Sequence, residues 1–378
     1  MFTKRGFLAA TVAASALFTA HFASAQDTTQ IGFFGPLTGP SAQLGQSLRN
    51  GALVALDEIN AAGGVLGHQI EMIEYDDRSS PEQAVRSATK LVQVDNVAFI
   101  VGSLHSGNIL ASGPVIEEAQ VPLIGAGTSP TWLESGYTYL FRALGNSSLS
   151  IKELAKYAKA HELNEIVVFH TNDEYGNAGA KAFSMTAEEY GLSLVGDESF
   201  TRGDRDFTGQ IASIVKASPD AVLIWAIGDD LGPVTKQLRQ LGYFGPILGA
   251  EGYTTPEAIE IAGSTANGVI LASQYLLPNF PEEASNDAIK SFLEDYVALI
   301  GRMPDSDNSY RGYDAVKLFA EAAEAAGTFD GATLRDAINN IEGYEGLAGT
   351  FNFVGGQGEG IDAVRLFAIE DGNFSEVQ

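Results

Sequence analysis

Two sets of loop residues in this chain have the types needed to hold a zwitterion. Ser103, His105, Ser106, Gly107, Thr128 and Ser129 bring hydroxyls and glycine-opened backbone N–H groups; Tyr175, Asp229, Asp230, Glu251 and Tyr253 bring carboxylates and phenols. A carboxylate suits the first set, because helices that follow such loops present free N–H groups and the positive end of a dipole. An ammonium suits the second. The same residue types also admit a plainer reading, with Ser106 and Thr128 as helix caps and Glu251 as a solvated loop acid.

Other chemistries find less support. G-x-S-x-G does not occur, and His105 beside Ser106 has no third partner in sequence to make a nucleophile of the serine. His68, His105, His161 and His170 lack H-E-x-x-H spacing, so a zinc site is not expected. The stretch 305–309, DSDNS, starts like a calcium loop, but Tyr310 stands where glycine is required and Val316 where the bidentate acid belongs. GAGTSP at 125–130 begins like a dinucleotide fingerprint and lacks its third glycine. No cofactor is expected.

Something must place these loops side by side, and the hydrophobic pattern says what. QIGFFG (30–35) reads as a strand, and the helix behind it aligns Leu44, Leu48, Ala52, Ala55 and Ile59 on one face before Gly63 and Gly64 stop it. The alternation repeats through a strand at 69–75, a helix opened by Pro81, a strand at 97–102, a further helix and a strand at 121–125. Such a βαβ series implies a parallel sheet with helices on both faces. After the cap-like Asn146 a second series follows, with strands at 165–170, 192–196, 221–228 and 246–250. The pattern predicts two doubly wound α/β lobes of duplicated architecture, with ligands beyond the carboxyl ends of the strands.

Three helical patterns at 288–300, 310–326 and 333–341 then break the alternation, and a last strand is expected at 363–370. The expected lobes are 26–145 with 275–350, and 146–274 with 351–378. A chain that returns to the first lobe and crosses again makes a multi-strand hinge.

Composition bounds the function. The 378 residues are 45% hydrophobic, and 22 Lys plus Arg against 48 Asp plus Glu leave a formal charge of -26, which argues against nucleic acid as a partner. With no cysteine there is no disulfide, thiolate metal site or lipid attachment. Lys4 and Arg5, an apolar run over 7–20 and Ala23-Ser24-Ala25 read as a secretory signal spanning 1–25. The expected product is periplasmic, not lipidated, and starts near Gln26.

At the loops named above the sequence resembles the type I periplasmic ligand-binding proteins of ABC transporters, in the leucine/isoleucine/valine-binding branch. The resemblance is carried, in order, by the stretches GPLTGPSAQLGQSLRNGALVALDEINAAGGVLG (35–67), EYDDRSSPEQAV (74–85), VGSLHSG, PLIGAGTSPTWL, NDEYGNAG (172–179), DFTGQI and GAEGY. It implies two Rossmann-like lobes closing over one small ligand. It further implies that Ser106, Ala126 and Thr128 contact the α-carboxylate and α-ammonium, that Tyr175 closes over the ligand and that Glu251 pairs with the ammonium. Leu44, Leu104, His105, Ile227, Gly252 and Tyr313 are expected around the ligand; Leu44, His105 and Ile227 depart from the residues common in relatives. The implied function is capture of an amino acid, first of all a branched-chain one, by a monomer that delivers it to an ABC transporter permease. A sensor that presents its closed state to a receptor, or a binder of an amide, urea or short carboxylate, would use the same fold.

Overall fold

The computed structural model describes residues 27–274, 276–355, 358–361 and 364–377, with the side chains of 229 and 256 left aside. The expected secretory signal lies outside the described residues.

The first sheet is formed by β1 (Thr28–Gly35), β2 (Gln69–Asp76), β3 (Ile100–Gly102), β4 (Leu123–Gly125) and β5 (Leu140–Arg142), all parallel in the order β2-β1-β3-β4-β5. Its crossovers are α1 (Ala42–Ala61), α2 (Pro81–Gln93), α3 (Ser106–Ala119) and the short α4 (Thr131–Glu134). Ser80 caps α2 through its side chain, and Pro81 at the first turn sacrifices only an N–H that the helix leaves unbonded anyway. Successive residues of β1 separate to opposite faces. Ile31 and Phe33 join a core with α1 and the later helices, whereas Phe34 packs with α2 and α3.

The second lobe repeats this plan with α5 (Ser147–Ala160), β6 (Glu165–Thr171), α6 (Glu174–Tyr190), β7 (Ser193–Phe200), α7 (Thr208–Ala217), β8 (Ala221–Trp225), α8 (Leu231–Gln240), β9 (Ile247–Gly249), α9 (Pro256–Ala262) and β10 (Val269–Ser273). Its sheet begins β7-β6-β8-β9-β10, the same winding as the first. Val167 and Phe169 face one core layer, Ile166 and Val168 the other. The duplication expected from sequence is therefore a duplication of strand order, and both lobes have a switch point between their first and third strands.

The chain then supplies α10 (Asp287–Ile300), α11 (Asn308–Ala326), α12 (Gly331–Asn339) and a hairpin of β11 (Glu342–Glu345) and β12 (Thr350–Asn352) to the first lobe. It ends with β13 (Arg365–Glu370) and β14 (Asn373–Val377), which are added antiparallel to β10. Five strands escape the sequence reading. β5 and β10 were not expected, the hairpin falls in a stretch for which no strand was expected, and the strand expected last is followed by β14. The return crossing also comes later than 350. Phe351, Phe353 and Ile361 belong to the first-lobe core, and Glu359 makes a parallel bridge with Arg142 that prolongs the first sheet. Among the described residues the chain thus passes between lobes at 143–147, near 276–277 and after Ile361, giving three connections.

α1 and α11 approach at two glycines. A Cβ on Gly51 would lie 1.8 Å from the Ser309 carbonyl oxygen, and one on Gly312 would lie 1.8 Å from that of Leu48. The contacts are with backbone, which cannot move aside without shifting a helix. Gly312→Ala is therefore expected to destabilise the protein by at least about 1–3 kcal/mol, and thermal unfolding of the unliganded protein measures it; an unchanged melting temperature would mean that the helices part readily.

Candidate functional site

The carboxyl ends of the two sheets face each other across a cleft, and the lobes touch there. Ser129 Oγ, on the first lobe, donates to Glu174 Oε1 of the second at 2.6 Å. Behind this contact lies a cavity of about 390 Å3, within the range of small-molecule sites.

Helix α3 and the loop after β4 make the first wall. Ser106 is the first helical residue of α3 and is buried; its Oγ accepts from the Ser129 N–H at 3.2 Å. Gly127 passes so close to Ser106 Oγ that any side chain there would collide with it. Leu104, His105, Ser106, Ala126 and Thr128 all line the cavity, at the end of α3 where first-turn N–H groups and the dipole favour an anion. His105 sets the cap position. Its Nε2 lies 3.2 Å from Ser41 Oγ, while Nδ1 is buried and has no hydrogen-bond partner among the described residues. Burial, reinforced by the Arg202 charge, pushes the imidazole pKa down to about 3, so the ring is neutral.

The second wall holds Tyr175, Ile227 and Glu251. Asp173 caps α6 by accepting from the Gly176 N–H at 2.9 Å, which sets Tyr175 in the first turn. The Tyr175 ring stacks on buried Trp225, centroids 5.6 Å apart, and its hydroxyl is buried without a hydrogen bond among the described residues. Burial raises its pKa far above the usual value, so it stays a phenol. Glu251 follows β9. Burial also raises its pKa, opposed first by the nearby Arg311 guanidinium. Thr128 stands beside both Glu251 and Tyr175, so the walls meet around it. Glu251 is thus a carboxyl group partly withdrawn from water, which strengthens its interaction with an incoming cation.

Arg311 was not anticipated. From α11 its Nη1 donates to the Ala126 carbonyl at 3.2 Å and its Nη2 to Asp307 Oδ2 at 2.8 Å, and the residue lines the cavity. Tyr313, expected at the cleft, is elsewhere. Two residues along a helix is about 200° of rotation, so Tyr313 faces away from the cavity, its hydroxyl donating to Glu58 Oε2 at 2.7 Å and its ring against Phe292. Leu44 and Gly252 do not line the cavity either. Leu44 is buried against Gly228, and Gly252 lies under Ile227, where a Cβ would come within 2.7 Å of Leu231 Cδ1 and 3.0 Å of the Ile227 Cα. Tyr253 is core, its hydroxyl bonded to Thr235 at 2.7 Å. Asp230 accepts from the Gly203 N–H at 3.0 Å and does not line the cavity.

A second unanticipated residue braces the first wall. Arg142 ends β5, fully buried, and donates through Nη1 to the Thr128 carbonyl at 2.5 Å and through Nη2 to that of Ser129 at 2.6 Å. Its Nε lies 3.3 Å from Glu359 Oε2 on the last crossing segment, and Glu359 in turn accepts from Asn146, the cap of α5 on the first crossing. Ser147 adds two further donors to the Thr128 carbonyl. The cavity loop is therefore tied to two of the three hinge connections, and Ser129 carries the chain of polar contacts on to Glu174.

Two similar lobes, three connections and a cavity between the sheet ends define a bilobal binding protein, and the chain belongs to the periplasmic binding protein family, whose model matches residues 28–373. It is 31% identical over 321 residues, 84% of both chains, to the leucine-, isoleucine-, valine-, threonine- and alanine-binding protein of Pseudomonas aeruginosa. It is 29% identical over 270 residues, 71% of this chain and 72% of the other, to the leucine-specific-binding protein of Salmonella typhimurium. Among solved structures it resembles a leucine binding protein of Thermotoga maritima, with a TM-score of 0.84 and 28% identity over 93% of this chain and 98% of the other. It also resembles a branched-chain amino acid transporter substrate binding protein of Streptococcus pneumoniae in complex with isoleucine, with a TM-score of 0.82 and 29% identity over 93% and 99%.

Proposed function

We propose that this protein is the extracytoplasmic receptor of an ABC importer, binding one α-amino acid, first of all a branched-chain one, in the cleft. The observation that carries this reading is the opposition of charges around Thr128. The N-terminus of α3, with Ser106, suits an α-carboxylate, and half-buried Glu251 suits an α-ammonium across the same cavity. The names of the relatives support the branched-chain assignment. Residues 1–25 direct export, the absence of cysteine leaves no residue for a lipid anchor, and the monomer delivers its ligand to a membrane permease.

A ligand that touches both walls gains its full contacts only when the lobes close, so binding and closure are one equilibrium. Leucine at a hundredfold excess over Kd should raise stability by about 2.7 kcal/mol, read as a shift in melting temperature, and small-angle scattering should show a smaller radius of gyration with ligand than without. A melting shift from leucine with an unchanged scattering curve would mean a rigid pocket. No shift from any α-amino acid would overturn the reading.

A further inference from the structure

The hydrogen bond that joins the lobes lies beside the zwitterion frame rather than within it. Ser129 follows Thr128 on the first wall and Glu174 precedes Tyr175 on the second, and the Ser129 hydroxyl donates to Glu174 Oε1 at 2.6 Å. Ser129 is fully buried and held in place from its own lobe. The Thr131 N–H donates to its Oγ at 3.3 Å, and Arg142 Nη2 donates to its carbonyl at 2.6 Å. Glu174, half-buried, stands where negative charge is favoured. It is the first residue of α6, and a Cβ on Gly107, the second residue of α3, would come within 3.4 Å of the Glu174 Cβ. The N-terminal ends of α3 and α6 therefore meet in the closed lobes, two positive dipole ends with one carboxylate beside both, and the Arg142 charge attracts that carboxylate further.

We propose that Ser129 and Glu174 form a latch that holds the lobes closed and so sets how slowly the ligand leaves, without selecting which amino acid is held. The inference rests on the amino-acid reading above and adds what keeps the cleft shut. The two ends of this bond ride on different lobes, so it breaks when they part. Glu174 then returns to water, and the Ser129 proton turns to Thr131 Oγ1, 3.2 Å away. The free energy of the bond belongs to the closed state alone, and a hydrogen bond to a carboxylate is stronger than one between neutral groups. Apparent affinity follows the fraction of closed protein, whatever side chain the ligand carries. Glu174 also lines the cavity, but its Oε1 is committed to Ser129, so it acts on the ligand through the position of the lobes.

Calorimetry and stopped-flow release with leucine and valine, on the wild type, Ser129→Ala, Glu174→Ala and the double variant, test it. Each single variant is expected to raise the dissociation constant of leucine about five- to twentyfold, chiefly through faster release, and to leave the ratio of leucine to valine affinity unchanged within about twofold. The double variant should bind no more weakly than the weaker single one, because the second substitution finds the bond already gone. Roles confined to each lobe would multiply the two losses instead. The melting temperature of each unliganded variant reports its fold, and Glu174→Gln, which keeps the shape, replaces Glu174→Ala if that variant does not fold. Multiplied losses, an unchanged release rate or a shifted leucine-to-valine ratio overturn the latch while the amino-acid reading stands. Failure of the wild type to bind either ligand overturns both.

Discussion

Glu251→Gln is expected to weaken amino-acid binding by about 2–5 kcal/mol without lowering the melting temperature of the unliganded protein. Glutamine keeps the shape and one acceptor oxygen but removes the charge that the proposed site sets against the ligand ammonium. In the unliganded protein that charge is a burden. Burial raises the Glu251 pKa above that of the unfolded chain, so folding favours the protonated form, and the contribution of this group to stability falls as pH rises from the unfolded value through the raised one. Above that window the variant should melt at or above the wild-type temperature. Calorimetry with leucine and a thermal scan at neutral pH check both halves. Unchanged affinity would remove Glu251 from the ammonium site, and a large drop in melting temperature would show that it serves the fold instead.

Arg142→Met is expected to cost about 3–5 kcal/mol of stability, because removing one member of a buried ion pair strands the other. It leaves Glu359 without its cation, strips two donors from the Thr128 and Ser129 carbonyls and removes the guanidinium that lies 4.6 Å from the Trp132 ring centroid. Chemical denaturation measures the loss. Methionine also frees the cavity loop from the hinge, so affinity for the amino acid should fall even in the fraction that remains folded. Glu359→Gln separates these effects. It keeps a polar group beside Asn146 and Arg142 while removing the charge, and its cost in stability should be smaller than that of Arg142→Met. Equal and slight effects of both would show that Ser147, which also bonds the Thr128 carbonyl, holds the loop alone.

The lobes, the strand-end loops and the presence of Ser106, Thr128, Tyr175 and Glu251 on the loops that line the cavity were legible because each is a local signal, whereas Ala126 came only from the resemblance. Period 2 followed by period 3.6 marks a strand running into a helix, Ser80-Pro81 and Asn146 are caps read within a few residues, and a loop at the carboxyl end of a parallel strand is placed by the winding rule. The resemblance then assigned roles to residues already standing on those loops. β5 and β10 were missed because each is at most five residues of a short apolar run, indistinguishable from loop until a neighbouring strand pairs with it.

The sequence by itself determined two doubly wound lobes, an acidic chain without cysteine, and which loops meet at the cleft. Only the tertiary structure decided which side chains of the late helices reach it. On α11 both Arg311 and Tyr313 are large and polar at the tip, and nothing in the helical period says which face is turned to the cavity until Gly51 and Gly312 lock α11 against α1. Arg142 and Glu359 lie 217 positions apart, 0% and 25% exposed at their side chains, and pair only because the chain returns to the first sheet after visiting the second. A buried charge is chosen by the partner that waits for it, and that partner is a property of the fold, whereas a strand, a helix or a cap is chosen by neighbours along the chain.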